Sequence, residues 1–177
     1  LRALRALSGQ QLMPRVLEHA RALAEVSARD VKEQQDKPDY ERRSGVGKQL
    51  AILHEMLGEK RYEPAVSYLR QFIPKGSPYT AEARAAAVWA LGHIFAGSEN
   101  AGLARAFASR LSDVNPINPE FEHVRRMSAV SIGRIGAQSG LSAVKEFSGV
   151  GEGVTKVALA CRWAVEQLTA ETPPPIE

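Results

Sequence analysis

The stretch 82–94 reads EARAAAVWALGHI, and the stretch 123–135 reads HVRRMSAVSIGRI. The two align without a gap at an offset of 41 residues, the distance from Gly92 to Gly133. The matched pairs include Arg84 with Arg125, Ala87 with Ser128, Leu91 with Ile132 and Ile94 with Ile135. Apolar residues recur in both at spacings of three and four, which is the period of a helix. A helical segment that repeats at a fixed offset indicates an array of helical repeats.

A turn and a second apolar segment follow each of these predicted helices. Residues 96–100 lead into 102–108, and residues 137–140 lead into 141–147. The turns are made of Gly, Ser, Asn, Gln and Glu, and Gly, Ser and Asn are residues that end helices and form turns. The repeating unit is therefore predicted to be a helical hairpin, with a first and a second helix.

Looser copies of the hairpin extend the pattern in both directions along the chain. Leu50, Leu53 and Leu57 lie on one face of an earlier first helix, and Pro64 lies in the first turn of its second helix. The predicted units are 1–30, 44–75, 82–114, 122–148 and 153–170, with half repeats at both ends, a polar connection at 31–43 and a tail at 171–177. For the polar stretch from Glu33 to Ser44, the sequence leaves open a helix extension or an ordered surface loop.

The hairpins resemble the short HEAT-like repeat type of the phycobilisome lyases, which starts Val-Arg-x-x-Ala and finishes Ala-Leu-Gly-x-Ile-Gly. Val124-Arg125 and the run 132–136 match this pattern, as does the run 90–94, although Phe95 replaces the last glycine. The resemblance implies an all-α, right-handed α-α superhelix, an armadillo-like solenoid of about four to five hairpins in one domain. It also implies that the second helices line the concave side.

A tetratricopeptide array is the rival, but Trp89-Ala90-Leu91-Gly92 is one residue too short for its Trp-x-x-Leu-Gly motif.

The composition is that of an ordinary globular chain. It has 177 residues, is 44% hydrophobic and 24% charged, and carries a formal net charge of +3. No run of like charges marks a nucleic-acid tail, and no apolar stretch reaches the roughly 20 residues that span a membrane. We expect a cytoplasmic protein, with the proviso that an N-terminal targeting segment could precede Leu1. Cys161 has no second cysteine with which to pair and is expected to be a small buried side chain.

Few residues of the chain indicate a catalytic or metal-binding site. HEAT-repeat enzymes of the deoxyhypusine hydroxylase type hold two irons with His-Glu pairs, and this chain has one such pair, His54-Glu55. His19, His93 and His123 stand at other places in their repeats, so the four are expected to be solvated or capping side chains. The glycine-rich run 148–153 follows no predicted strand, as a phosphate loop would require. We expect no metal, no cofactor and no enzymatic activity.

The predicted function is a protein–protein interaction scaffold, a HEAT-repeat module of a larger protein. Four cations on the outward faces of the second helices would form a basic ridge for an acidic segment of the partner: Arg70, Arg105, Arg110 and Lys145. The plain alternative is that they are ordinary solvated residues of a helix face. A nucleic-acid-binding module that uses the same basic concave face is the second function, and a bilin lyase or di-iron hydroxylase is the third.

We predict that the protein is almost wholly helical, because helical periodicity is present in every segment outside the loops. Far-UV circular dichroism should show the double minimum of α-helix with no resolvable strand component. A substantial β-sheet signal would overturn the repeat assignment and everything built on it.

Overall fold

A computed structural model describes residues 12–34, 36–38, 41–149 and 155–171, and these residues contain eight α-helices and no β-strand. The helices are α1 (Met13–Lys32), α2 (Gly47–Glu59), α3 (Val66–Leu69), α4 (Ala81–Ile94), α5 (Ala101–Leu111), α6 (Glu122–Ile135), α7 (Leu141–Glu146) and α8 (Lys156–Thr169). Short 3₁₀ turns extend two of them: Glu63–Ala65 and Arg70–Phe72 flank α3, and Gln138–Gly140 precedes α7. The prediction of an all-helical chain is confirmed for these residues.

Several helix boundaries differ from the sequence expectation. The second helix of the predicted unit 44–75 is a single α-helical turn between two 3₁₀ turns. In the predicted unit 153–170, helix α8 begins at Lys156. Residues 1–11 of the first predicted unit, the end of the glycine-rich run at 150–153 and residues 172–177 of the predicted tail lie outside the described residues.

The described residues of the polar stretch after α1 (33–34, 36–38 and 41–44) form a loop and not a helix extension. The side-chain amide of Gln34 donates to the carbonyl oxygens of Asp30 and Arg43, at 2.8 and 2.7 Å. The hydroxyl of Ser44 donates to the carboxylate of Asp30 at 2.7 Å. These bonds fold the far end of the loop back onto the last turn of α1. Hydrogen bonds that the Gln34 and Ser44 side chains donate, two of them to Asp30, therefore replace the helical pattern there.

The first helices pack against one another in chain order, α2 on α4, α4 on α6 and α6 on α8. Each second helix lies against its own hairpin or the next one, and α1 packs against α2. Aromatic side chains of the second helices are buried between the hairpins: Phe72 and Phe107 are 0% exposed and Phe147 is 6% exposed. Trp163 on α8 is 36% exposed. The chain has one contiguous core shared by all the hairpins.

Side-chain caps explain where three of the helices begin. Thr80 accepts a hydrogen bond from the backbone N–H of Ala83, Asn100 from that of Leu103, and Thr155 from that of Ala158. Each satisfies an N–H that has no partner within its helix. At the other end of α6, Gly136 adopts φ +77°, which favours glycine.

The first helices touch at glycine residues. A Cβ built on Gly58 would lie 2.6 Å from Cα of Ala90, and one on Gly92 would lie 2.9 Å from Cα of Ser131. A Cβ on Gly133 would likewise lie 2.9 Å from Cα of Ala164. Contacts this short with backbone atoms leave no space for a side chain. The glycine of the repeat motif is therefore required for the close approach of each first helix to the next.

The arginine of the repeat motif joins each first helix to the second helix before it. Arg125 Nε donates to the carbonyl oxygen of Leu111 at 2.8 Å, and Arg84 Nε donates to that of Phe72 at 3.3 Å. Both carbonyls lie at or near the end of a second helix, where no intrahelical partner remains. The guanidinium of Arg125 also lies 5.0 Å from the ring centre of Phe147. The aligned arginines thus lock consecutive hairpins together.

Arg84 also forms a buried ion pair with Glu120. Its two terminal nitrogens donate to the two carboxylate oxygens at 2.8 and 2.7 Å. Arg84 and Glu120 are each 3% exposed. Arg110 adds a second cation, with Nη1 3.3 Å from the carboxylate. Because a buried charge without a partner is strongly unfavourable, this pair fixes the loop before α6 against α4.

We predict that Arg84→Met lowers the free energy of unfolding by about 3 kcal/mol, because Glu120 would stay buried with only Arg110 beside it. Arg105→Met is the matched control, since Arg105 is exposed on α5, and it should change stability by no more than about 0.5 kcal/mol. Urea unfolding monitored by circular dichroism measures both. Equal effects of the two substitutions would show that the buried pair does not hold the loop.

Candidate functional site

The four cations of the predicted basic ridge do not share one environment. Arg70, Arg105 and Lys145 are exposed. Arg110 is half-buried, because its guanidinium pairs with Glu120 at 3.3 Å and with Asp113 at 3.6 Å. The second helices that carry these residues are short. The use of the four as a partner-binding ridge stays a prediction, and Arg110 additionally has a structural role.

The histidines need one correction. His19 and His123 are exposed, as expected of solvated side chains, and His93 is half-buried with its ring centre 3.9 Å from that of Trp89. His54, expected to be solvated or capping, is instead 0% exposed. It faces inward from α2, where a helical pattern with Leu50, Leu53 and Leu57 leaves no outward position for it. Hydrogen bonds make that burial tolerable.

His54 connects four helical segments through hydrogen bonds. Its Nδ1 lies 3.0 Å from the carbonyl oxygen of Ala83, and its Nε2 lies 2.9 Å from the hydroxyl of Tyr68. That hydroxyl lies 3.0 Å from the carbonyl oxygen of Ala20. A carbonyl can only accept, so Nδ1 carries the proton of the neutral ring, and the Tyr68 hydroxyl has one proton for two acceptors. Burial lowers the pKa of His54 to about 4, since the charged ring would lose its hydration.

The residues considered for catalysis or metal binding do not form such a site in the part of the chain that the structure describes. There, no three His, Cys, Asp or Glu side chains converge as metal ligands would. Cys161 is buried, as expected, and burial raises the pKa of its thiol to about 12, so it stays protonated at neutral pH. Of the glycine-rich run, only Ser148 and Gly149 are described.

A depression of about 630 Å³ crosses the outer surface of three first helices. We call it the first-helix groove. Its lining residues are Lys48, Ala51, Ile52, Glu55 and Glu59 of α2, Glu82, Ala85, Ala86 and Trp89 of α4, and His123, Arg126 and Met127 of α6. The floor is apolar and made partly of alanine, and the rim carries charges of both signs. The Nε atom of Arg126 is buried there without a hydrogen-bond partner.

The sequence did not predict this groove, because the partner-binding surface was expected on the second helices. One signal was present in the sequence. When Gly58, Gly92 and Gly133 are superimposed, Ala51 falls on Ala85, and Ile52 falls on Ala86 and Met127. Small or apolar residues thus recur at positions that the first helices direct outward. The depth of the groove depends on the distance between helices, which the sequence does not state.

A second depression, of about 770 Å³, lies at the edge where α4 and α6 begin. We call it the basic groove. It is lined by residues 31–32, 42–43, 75–82 and 118–121, with Arg84 and His123. Its walls come from the end of α1 and the loops that precede α2, α4 and α6. Glu82 and His123 line both grooves, so the two are adjacent.

Comparisons of the chain with protein-family models, with curated proteins and with solved structures found no match. None of the described helices is both long and apolar enough to cross a membrane. The two grooves are therefore the features of the molecule that bear on its function.

We predict that the stability of the protein falls by about 2 kcal/mol between pH 7 and pH 5 because of His54. The unfolded chain binds a proton there, with an ordinary histidine pKa near 6.5, whereas the folded chain holds His54 neutral until about pH 4. The contribution is therefore complete above pH 6.5 and is lost as the pH falls toward 4. Urea unfolding at a series of pH values measures this loss.

His54→Gln is the control for this prediction, since an amide keeps a donor and an acceptor but does not titrate over this range. The variant should be less stable at pH 7 and show a shallower decline toward pH 5. An identical slope for both proteins would mean that His54 is accessible to protons in the folded state.

Proposed function

We propose that this chain is a HEAT-like array of helical hairpins that serves as a protein-binding scaffold, and that a segment of its partner lies in the first-helix groove. The composition of the groove is the observation that carries the proposal. Protein interfaces have an apolar centre enriched in Trp, Met and Arg, surrounded by a polar rim. Trp89, Met127 and Arg126 lie together here, with a rim of charged side chains.

The packing of the first helices supports a binding surface on their side. Consecutive first helices from α2 to α8 touch at a glycine, whereas the second helices α3, α5 and α7 between them are shorter. In a curved array the row of helices with the closest spacing lies on the inside of the curve. The proposal therefore puts the first helices on the concave side of a solenoid. The expectation from the family resemblance was that the second helices line that side.

The charges on the rim favour one orientation of the bound segment. On the α2 side the rim has Glu55, Glu59 and Lys48, with a net negative charge, and on the α6 side it has Arg126. A segment with basic residues toward α2 and acidic residues toward α6 would match both. Complementary charges of this kind set specificity and orientation more than affinity. The sequence predicts an acidic partner segment. In the first-helix groove, the acidic residues of the segment would lie only on the side that faces α6.

A nucleic-acid partner is the second candidate, and the basic groove is the observation that favours it. Nucleic-acid binding would weaken steeply with salt, because each neutralised phosphate releases counterions. A protein segment seated on Trp89 and Met127 would depend on salt much less, since burial of apolar surface supplies most of its affinity.

The test is a selection of peptides from a random display library on the purified protein, followed by affinity measurements with the selected peptides. We predict that these peptides carry an apolar core flanked by charge, and that Ile52→Ser combined with Met127→Ser weakens them at least about tenfold. Both side chains are half-buried and also pack against the core, so the melting temperature of the double variant is measured beside its affinity.

Leu159→Ser is the matched control, because Leu159 is 51% exposed on α8 and lies outside the groove. It should leave peptide binding unchanged. Peptides that bind the double variant as tightly as the parent protein would contradict the proposed surface. Tight, salt-sensitive binding of oligonucleotides without any peptide selection would favour the nucleic-acid function.

A further inference from the structure

The basic groove has a marked excess of positive charge. Five cationic side chains line it, namely Lys32, Arg42, Arg43, Lys75 and Arg84, against the two carboxylates of Glu82 and Glu120. Arg84 is ion-paired with Glu120, which Arg110 also contacts, and Lys75 is ion-paired with Asp113. The excess therefore comes from Lys32, Arg42 and Arg43 against Glu82. A concave site with net charge of one sign raises the local concentration of ligands of the opposite sign. The groove therefore favours an anionic group.

Elements from different parts of the chain make this site. Lys32 comes from the last turn of α1, Arg42 and Arg43 from the loop before α2, and Lys75 from the loop before α4. Arg42 is held by bonds from its Nε to the carbonyl oxygens of Gln34 and Lys37, at 3.2 and 2.9 Å. Lys75 is held by Asp113 at 2.8 Å. Positions fixed in this way reduce the reorganisation that binding would require.

Neutral hydrogen-bond donors add to the charges. Helix α4 begins at the groove, with Thr80, Ala81 and Glu82 in its wall, and the N–H groups of a first turn favour an anion. Ser77 also lines the groove, and its hydroxyl oxygen is buried without a hydrogen-bond partner. The negative end of α1 faces the same space, but the carbonyl oxygens of Asp30 and Val31 already accept bonds from Gln34.

We propose that the basic groove binds a phosphoryl group carried on a side chain of a protein segment. A phosphorylated serine or threonine brings nearly two negative charges and three acceptor oxygens, which suits converging cations better than a single carboxylate does. The groove is much larger than a phosphate ion and lies next to the first-helix groove, with Glu82 and His123 in the lining of both. A segment that lies across the first helices would place a phosphorylated residue at this end.

This proposal rests on the proposed function in one respect, which is that a protein segment carries the phosphoryl group. Its test therefore uses none of the peptides selected from the library. The probes are three short Ala-Gly peptides that differ at one central residue, which is phosphoserine, serine or glutamate, together with inorganic phosphate. Each is titrated into the full chain and followed by amide chemical shifts in two-dimensional NMR. We expect the amide resonances of Ser77, Thr80 and Ala81 to shift saturably with the phosphoserine peptide. Its affinity should be higher than that of the other three probes.

Two charge variants separate a site from general attraction. Lys32→Gln with Arg43→Gln removes two exposed cations of the groove, and affinity for the phosphoserine peptide should fall at least about tenfold. Arg15→Gln with Lys60→Gln changes net charge equally on exposed positions outside the groove, and affinity should stay within about twofold. The melting temperature of each variant checks that the fold is retained.

Four outcomes would overturn the proposal. Equal binding of the glutamate peptide would make the groove a carboxylate site, and equal or tighter binding of inorganic phosphate would make it a site for the free ion. Equal loss in both charge variants would show attraction by net charge alone. Absence of shifts up to about 10 mM phosphoserine peptide would show that no site exists. Ile52→Ser with Met127→Ser should not change the affinity for the phosphoserine peptide. Loss of peptide binding in the first-helix groove can therefore be told apart from loss of phosphoserine binding in the basic groove.

Discussion

The close contact between consecutive first helices is the constraint on which the rest of the structure depends. Gly58, Gly92 and Gly133 let the backbone of each first helix approach the next one directly. The Ser131 hydroxyl donates to the carbonyl oxygen of Val88 at 3.0 Å across one of these contacts. Because protein interiors are close-packed, one added methyl group at such a point separates the helices or distorts them. The second helices then fill the spaces that this row leaves, with Phe72, Phe107 and Phe147 buried beneath it.

Both grooves are consequences of that row. Parallel first helices at close spacing present a shallow valley where their outward residues are small, and Ala51, Ala85 and Ala86 provide it. The same parallel arrangement brings the starts of α4 and α6 to one edge, together with the loops that precede them. The buried pair of Arg84 and Glu120 fixes one of those loops. A surface with an apolar centre and a basic end is therefore a product of the packing.

The sequence predicted the helices well because periodicity and caps are local signals. The matched runs at 82–94 and 123–135 became α4 and α6 within a residue, and the aligned glycines and arginines proved to be contact residues. It did not predict that Arg110 would be ion-paired, since its partner Glu120 comes from a loop after the helix. His54 was misplaced because its acceptor at Ala83 and its Tyr68 neighbour are distant along the chain. Both grooves depend on distances between elements, which only the folded chain defines.

One pair of identical substitutions tests the central claim. The measured quantity is the free energy of unfolding in urea for Gly92→Ala and for Gly102→Ala. In a helix, alanine is favoured over glycine by roughly 1 kcal/mol, and a Cβ on Gly102 meets only Asn100 Oδ1 at 3.5 Å. Gly102→Ala should therefore stabilise the protein by up to about 1 kcal/mol. Gly92→Ala should destabilise it by about 2 kcal/mol, because the new methyl group meets Ser131. A neutral or stabilising effect of Gly92→Ala would contradict the close contact of the first helices.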